Sequence, residues 1–151
     1  MTELQAAYET HLKALTLTRT RLICILIFTL TPLFGLVDWF AEFKAMSALL
    51  TTRAIATTIA VCLYIFSFTN LGIKKIFILN GVAILEVGLA IAFMIRFQGG
   101  YESPYYAGLN LVFLGIGLLT VFSAKTTTFC CTTIYAAYLL PIFAFDQIDN
   151  I

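Results

Sequence analysis

Glu86 is the residue of this sequence that is hardest to bury. It lies near the middle of an apolar run, Ile76 to Phe97, within ILNGVAILEVGLAIAF. A charged side chain at the centre of a membrane helix costs on the order of 2.5–3.5 kcal/mol on insertion scales, so such groups face a bundle interior and are functional candidates by default. The chemistry open to Glu86 is ligand binding or a response to protons. The structural alternative is a neutral carboxyl hydrogen-bonded to a neighbouring helix. Asn80 lies six residues earlier and does not share a helical face with Glu86 cleanly.

The stretch QGGYESPYYAGLNL, from Gln98 to Leu111, is the most distinctive in the chain. Gly99 and Gly100 permit a tight turn. Pro104 suits the first turn of a helix. Tyr101, Tyr105 and Tyr106 cluster where the chain meets a membrane interface. Gly108, Gly115 and Gly117 let the next helix approach its neighbours closely, and Asn110 is read as turning its carboxamide into the bundle. A ligand pocket at an outer mouth is expected from Tyr101, Pro104, Tyr105, Tyr106, Gly108 and Asn110, with Glu86 deeper. The structural alternative is a well-capped helix carrying an aromatic belt.

Asp38 and Arg53 frame the joint between the first two apolar runs, and opposite charges at that level predict an ion pair between adjacent helices. Trp39 beside Asp38 reads as an interfacial anchor. Pro141, within YAAYLLPIF, is expected to kink its helix and free a carbonyl. With Tyr135 and Tyr138 before it, such a kink can shape a pocket.

Other chemistries are poorly supplied. Cys24, Cys62, Cys130 and Cys131 lie in apolar runs without zinc-ligand spacing and read as small hydrophobes. His11 is the single histidine, so no bis-histidine haem is expected within the membrane. No nucleophile–base set and no nucleotide-binding motif is present, so no catalysis, metal or cofactor is expected of this chain. A net charge of +1 leaves no basic footprint for nucleic acid.

These residues must be positioned by membrane helices. The 151-residue chain is 61% hydrophobic and 11% charged, with mean hydropathy +0.97. Soluble domains are about a quarter charged, and one this small cannot hide so much apolar surface. A span needs roughly 20 apolar residues. Five runs qualify, about Leu22–Phe43, Arg53–Phe68, Ile76–Phe97, Tyr105–Ser123 and Thr127–Phe145. The expected fold is all-α, a polytopic membrane helical bundle. Short joints make consecutive helices antiparallel neighbours.

The arm before the first run carries Leu4, Tyr8, Leu12 and Leu15 at helical spacing, with Glu9 and Lys13 as an i,i+4 pair. It reads as a cytoplasmic amphipathic helix over residues 1–20 that runs into the first span or lies on the inner leaflet, ahead of a bundle over residues 21–151. Its alternative role is a pairing helix between protomers. The first run is too long for a signal-peptide core. With the N-terminus inside, six of the nine basic residues face the cytoplasm, which favours that orientation. An odd number of spans leaves the last residues outside, so either the protein ends there or a sixth span is to be expected.

From Gly99 to Leu119, GGYESPYYAGLNLVFLGIGLL resembles the N-terminal multi-pass sensor region of bacterial signalling proteins. Those regions precede class III adenylate/guanylate cyclase, histidine kinase or PAS-containing modules. The block SPYYAGLNL, YLLPIF from Tyr138 to Phe143, and the placing of Asp38 and Arg53 carry the likeness, which extends over about residues 20–151. It implies a bacterial inner-membrane location, six spans, a homodimer, a small lipophilic ligand and a cytoplasmic output enzyme C-terminal to the bundle. Two other readings fit the residues: an accessory or structural subunit of a larger membrane complex, and a small proton-linked transporter using Glu86. No internal repeat supports the transporter.

Overall fold

The computed structural model describes residues 3–40, 46–98, 103 and 105–145. Among them the chain is all helical, without strands. The helices are α1 (Glu3–Phe40), α2 (Met46–Phe66), α3 (Asn70–Lys74), α4 (Ile76–Phe97), α5 (Tyr106–Leu119) and α6 (Ala124–Phe145). Four of them, α1, α2, α4 and α6, are long and apolar enough to cross a membrane, and α5 is a shorter apolar helix.

The N-terminal arm and first run form one helix of 38 residues, about 57 Å long. Glu3 to His11 are exposed throughout, so the arm continues α1 beyond the bundle. Hydroxyls are accommodated without a partner helix. Thr16 and Thr20 on α1, Thr58 on α2 and Thr133 on α6 each donate to the carbonyl four residues back, at 2.8 Å. Such back-bonding satisfies a polar side chain where water is absent.

Two boundaries differ from expectation. α2 begins at Met46 rather than Arg53, because Met46 to Thr52 contains only helix-compatible residues and Thr51 and Thr52 back-bond at 2.7 and 2.8 Å. Arg53 therefore sits two turns inside α2. α5 has only 14 residues, about 21 Å. The apolar run continues to Phe122, but Thr120 turns extended (φ −108°, ψ 149°). Ser123 then caps the next helix, its carbonyl accepting from Thr127 N–H at 3.0 Å and its hydroxyl from Thr126 N–H at 3.4 Å. α6 contains Pro141 within its length, so the proline does not end the helix.

α4 is the hub, packed against α1, α2, α5 and α6. Its inner faces meet Cys24 and Ile27 of α1, Ala60 of α2, Ile116 of α5 and Ile134 of α6 in one core. Large apolar side chains point outward, among them Leu33, Ile65, Ile78, Leu118 and Leu140. Such extensive apolar surface suits lipid as solvent.

Among the long helices a close approach is at Gly88, not at the glycines of α5. A Cβ on Gly88 would lie 2.5 Å from Cδ1 and 2.7 Å from Cγ1 of buried Ile134. Nothing lies within 4 Å of the corresponding positions on Gly115 and Gly117, and Gly108 meets only Ile91, at 3.7 Å. Gly88→Ala is expected to destabilise the bundle by about 1–3 kcal/mol, as overpacking does. Unfolding in detergent measures this, and Ile134→Ala in the same chain should recover part of the loss.

The cytoplasm-facing end expected for the α2–α4 joint is a built turn. Thr69 caps α3, accepting from Gly72 N–H at 3.0 Å. Arg21 of α1 holds it, donating through Nε to Ser67 Oγ at 3.2 Å and through Nη2 to Ser67 O at 3.1 Å. Its guanidinium lies 3.8 Å above the Phe68 ring.

Candidate functional site

Two polar groups are set into the apolar bundle. The first joins α1, α2 and the start of α5. Asp38 lies in the last turn of α1, and Arg53 points back at it from two turns inside α2. Arg53 Nε donates to Asp38 Oδ2 at 2.8 Å, with both side chains almost wholly buried. Arg53 Nη1 donates to Thr31 O at 3.2 Å and Nη2 to Tyr105 Oη at 3.3 Å. Tyr105 in turn donates its hydroxyl proton to Asp38 Oδ1.

Ser103 positions Tyr105. It is fully buried, and its hydroxyl accepts from Tyr105 N–H at 3.3 Å. The expected Asp38–Arg53 pair is thus present, with Tyr105 as a third member that the sequence reading placed in a ligand pocket instead. The charges cancel locally, and the remaining donors and acceptors reach partners, as a buried ion pair requires.

Gly35 leaves room for the Arg53 stem: a Cβ there would stand 3.4 Å from Arg53 Cδ. Beside it, an open groove of about 470 Å³ runs between α1 and α2. Pro32, Gly35 and Trp39 form one wall, and Leu50, Arg53 and Thr57 the other. The groove is mostly apolar, with the Arg53 side chain at its polar edge.

The second group lies on α4. Both carboxyl oxygens of Glu86 and both polar atoms of the Asn80 carboxamide are buried, without a hydrogen-bond partner among the described residues. Asn80 is fully buried. Cys24 of α1 lies within electrostatic reach of Glu86. The neighbouring-helix partner expected for a structural carboxyl is therefore missing among the described residues, and Asn80 repeats the situation. Buried polar groups without partners are rare in native proteins and each calls for an explanation.

Of the residues expected at the outer pocket, those that are described are not brought to one site. Tyr101 and Pro104, with Gly99 and Gly100, lie outside the described residues. Tyr105 is engaged by Asp38 and Arg53. Tyr106 is exposed, and Gly108 packs on Ile91. Asn110 is exposed on α5 rather than turned into the bundle. The reason is helical phase: Leu109 and Ile116 take the inward face of α5, which rotates Asn110 outward. Near Pro141, Tyr135 stacks loosely between Phe113 and Tyr138, with ring centroids 6.3 and 6.2 Å away.

Sequence reasoning missed the Arg21–Ser67 contact and undervalued Asn80. Matching residues by depth across antiparallel runs gives the signal for the first, since Arg21 and Ser67 both stand at one end of their spans. Among the described residues, no group of histidine, cysteine and acidic side chains could hold a metal ion. No family model, no curated protein and no solved structure matches this chain.

Proposed function

We propose that this bundle is the membrane-embedded sensing region of a bacterial signalling protein, taking up a small lipid-soluble molecule that carries a hydrogen-bonding group. The observation that carries the reading is the unpartnered carboxyl of Glu86, with the unpartnered Asn80 on the same helix. An interior that leaves four polar atoms unsatisfied on its hub helix is prepared for a polar visitor. The groove beside Arg53 is a separate apolar opening between α1 and α2.

In this reading the N-terminus is cytoplasmic, the chain acts as a homodimer in the inner membrane, and a cyclase or kinase module follows the bundle. Binding at Glu86 favours one packing of α4 against α1 over another, and differential affinity for the two packings is what moves the equilibrium. α1 then carries the change between the Asp38–Arg53–Tyr105 cluster and the projecting arm.

Glu86→Leu tests the carrying observation. An unpartnered carboxyl replaced by an apolar side chain is expected to raise stability, by about 1–3 kcal/mol. Thermal unfolding in lipid nanodiscs, with and without a ten-carbon alkyl amine or alcohol, measures both halves. The wild type should gain stability from the additive, and the Glu86→Leu variant should lose that gain. A variant less stable than wild type would instead mark Glu86 as a structural group. The output half is checked separately by the coding sequence downstream of Ile151, where absence of a cyclase or kinase module removes it.

A further inference from the structure

We propose that the end of the bundle formed by Arg19, Arg21, Lys74, Lys75 and Lys125 is a docking surface for the head groups of anionic phospholipids. This surface depends on the chain crossing a bilayer and not on the sensing reading. Contacts fix these residues at one end. Arg21 of α1 is bonded to Ser67, just past the end of α2. Lys74 and Lys75 close the α3 turn that follows. The joint between α5 and α6 comes to the same end, since a Cβ on Gly81, in the second turn of α4, would stand 3.9 Å from Phe122 Cζ. Lys125 is the second residue of α6.

Charge names the occupant. Among the described residues, none of the five basic side chains is paired with a carboxylate. The nearest acids along their helices are Glu9, ten residues before Arg19, and Glu86, eleven residues after Lys75. At 1.5 Å per residue each stands about 15 Å away or more along the axis. At the opposite end Arg53 is neutralised by Asp38. Lys74, Lys75 and Lys125 are exposed, so their ammonium groups can reach a phosphate. A zwitterionic head group brings its own cation and gains less from this excess of positive charge.

Depth selects a lipid over a soluble anion. Phe68, Leu71 and Ile73 are exposed beside the lysines, by 54%, 52% and 41%. Apolar surface of that extent is favoured against acyl chains and disfavoured in water. Lys75 directly precedes Ile76, where the apolar run of α4 begins, so the lysines stand at the boundary between head groups and acyl chains. Apolar side chains dipping into that boundary beside lysines make an interfacial anchor for anionic lipid. Arg21 braces the turn, its guanidinium 3.8 Å from the centre of the Phe68 ring.

The test uses the full chain in phosphatidylcholine vesicles containing a minor share of phosphatidylglycerol. Trp39, the single tryptophan, stands near the opposite end of α1. It reports on that end, and a chain carrying Trp39→Phe and Phe68→Trp reports on this one. Quenching by phosphatidylglycerol with brominated acyl chains is compared with quenching by equally brominated phosphatidylcholine. At position 68 the anionic lipid should be preferred, and at Trp39 it should not. Lys74→Gln with Lys75→Gln should lower the preference by about fivefold for each lysine removed, whereas Lys74→Arg with Lys75→Arg should keep it. Added salt should lower it too.

Equal quenching by the two lipids at position 68 overturns the proposal. So does a preference unchanged by Lys74→Gln with Lys75→Gln, or an equal preference at Trp39. Binding of inorganic polyphosphate to the chain in detergent, with no lipid preference in vesicles, would assign the surface to a soluble anion instead. If Phe68→Trp fails to insert, Leu71→Trp serves as the reporter. A normal alkyl-amine response without lipid preference would remove this surface and leave the sensing reading standing.

Discussion

Asp38→Ala is expected to destabilise the bundle by about 3–5 kcal/mol, the cost of leaving a buried guanidinium without its counter-ion. Arg53 has little alternative. Its side chain is 6% exposed, and its remaining bonds, to Thr31 O and the Tyr105 hydroxyl, are to neutral groups. Arg53→Ala should cost a similar amount, because among the described residues Asp38 would keep only the Tyr105 hydroxyl. Tyr105→Phe should cost less, about 1–3 kcal/mol, since it removes hydrogen bonds to charged groups but leaves the ion pair.

The informative variant is the triple one, Asp38→Leu, Arg53→Met and Tyr105→Phe. Replacing a whole buried ionic cluster with apolar side chains of similar volume is often neutral or stabilising. Recovery of stability in the triple variant, with any signalling response still lost, would separate the cluster's contribution to specific packing from its contribution to stability. Unfolding in mixed micelles followed by circular dichroism measures all four chains. A loss below about 1 kcal/mol for Asp38→Ala would place the pair in contact with water, where ion pairs contribute little.

Gly72→Ala is the second large effect expected. A Cβ at this position would stand 2.0 Å from the carbonyl oxygen of Phe66 and 2.9 Å from its carbon. The obstacle is backbone, so no rotamer change relieves it, and the end of α2 must move away from α3. That movement breaks the bond from Gly72 N–H to Thr69 Oγ1 and disturbs the Ser67 atoms that Arg21 holds. A lost cap is about 1 kcal/mol, and overpacking adds about 1–3 kcal/mol. Gly115→Ala is the control. Nothing lies within 4 Å of its Cβ position, and the better helix propensity of alanine should raise stability by about 0.5–1 kcal/mol. Equal effects at the two glycines would refute the packing argument at Gly72.

The apolar helices were legible because a run of membrane length announces itself whatever its neighbours are. The Asp38–Arg53 pair was legible too, since opposite charges at the same depth on consecutive helices have few other partners. Tyr105 joined them without warning, because its contact with Asp38 spans 67 residues of sequence. The outward turn of Asn110 was hidden for a different reason. In a soluble helix an apolar stripe fixes which side faces the core. α5 is apolar nearly all round, so its phase is set by packing against α4, and hydrophobicity carries no record of it. Gly88 and Gly72 were likewise invisible. A glycine's necessity lies in what stands opposite it, here Ile134 and the Phe66 carbonyl. The early end of α5 reflects a contest between an apolar run and a capping serine, and Ser123 prevails.

In the membrane placement proposed above, the shortness of α5 bears on the surrounding lipid. Its neighbour α4 has 22 residues and α5 has 14, so in a hydrocarbon layer of about 30 Å the helical part of α5 covers only roughly two thirds of the thickness. Hydrophobic mismatch of this kind is relieved by local thinning or by tilting, at fractions of a kcal/mol per Å. A thin membrane wets this flank of the bundle evenly; a thick, sterol-like one is strained there. Bilayer thickness is therefore a variable to which the α5 flank responds more than any other side of the molecule.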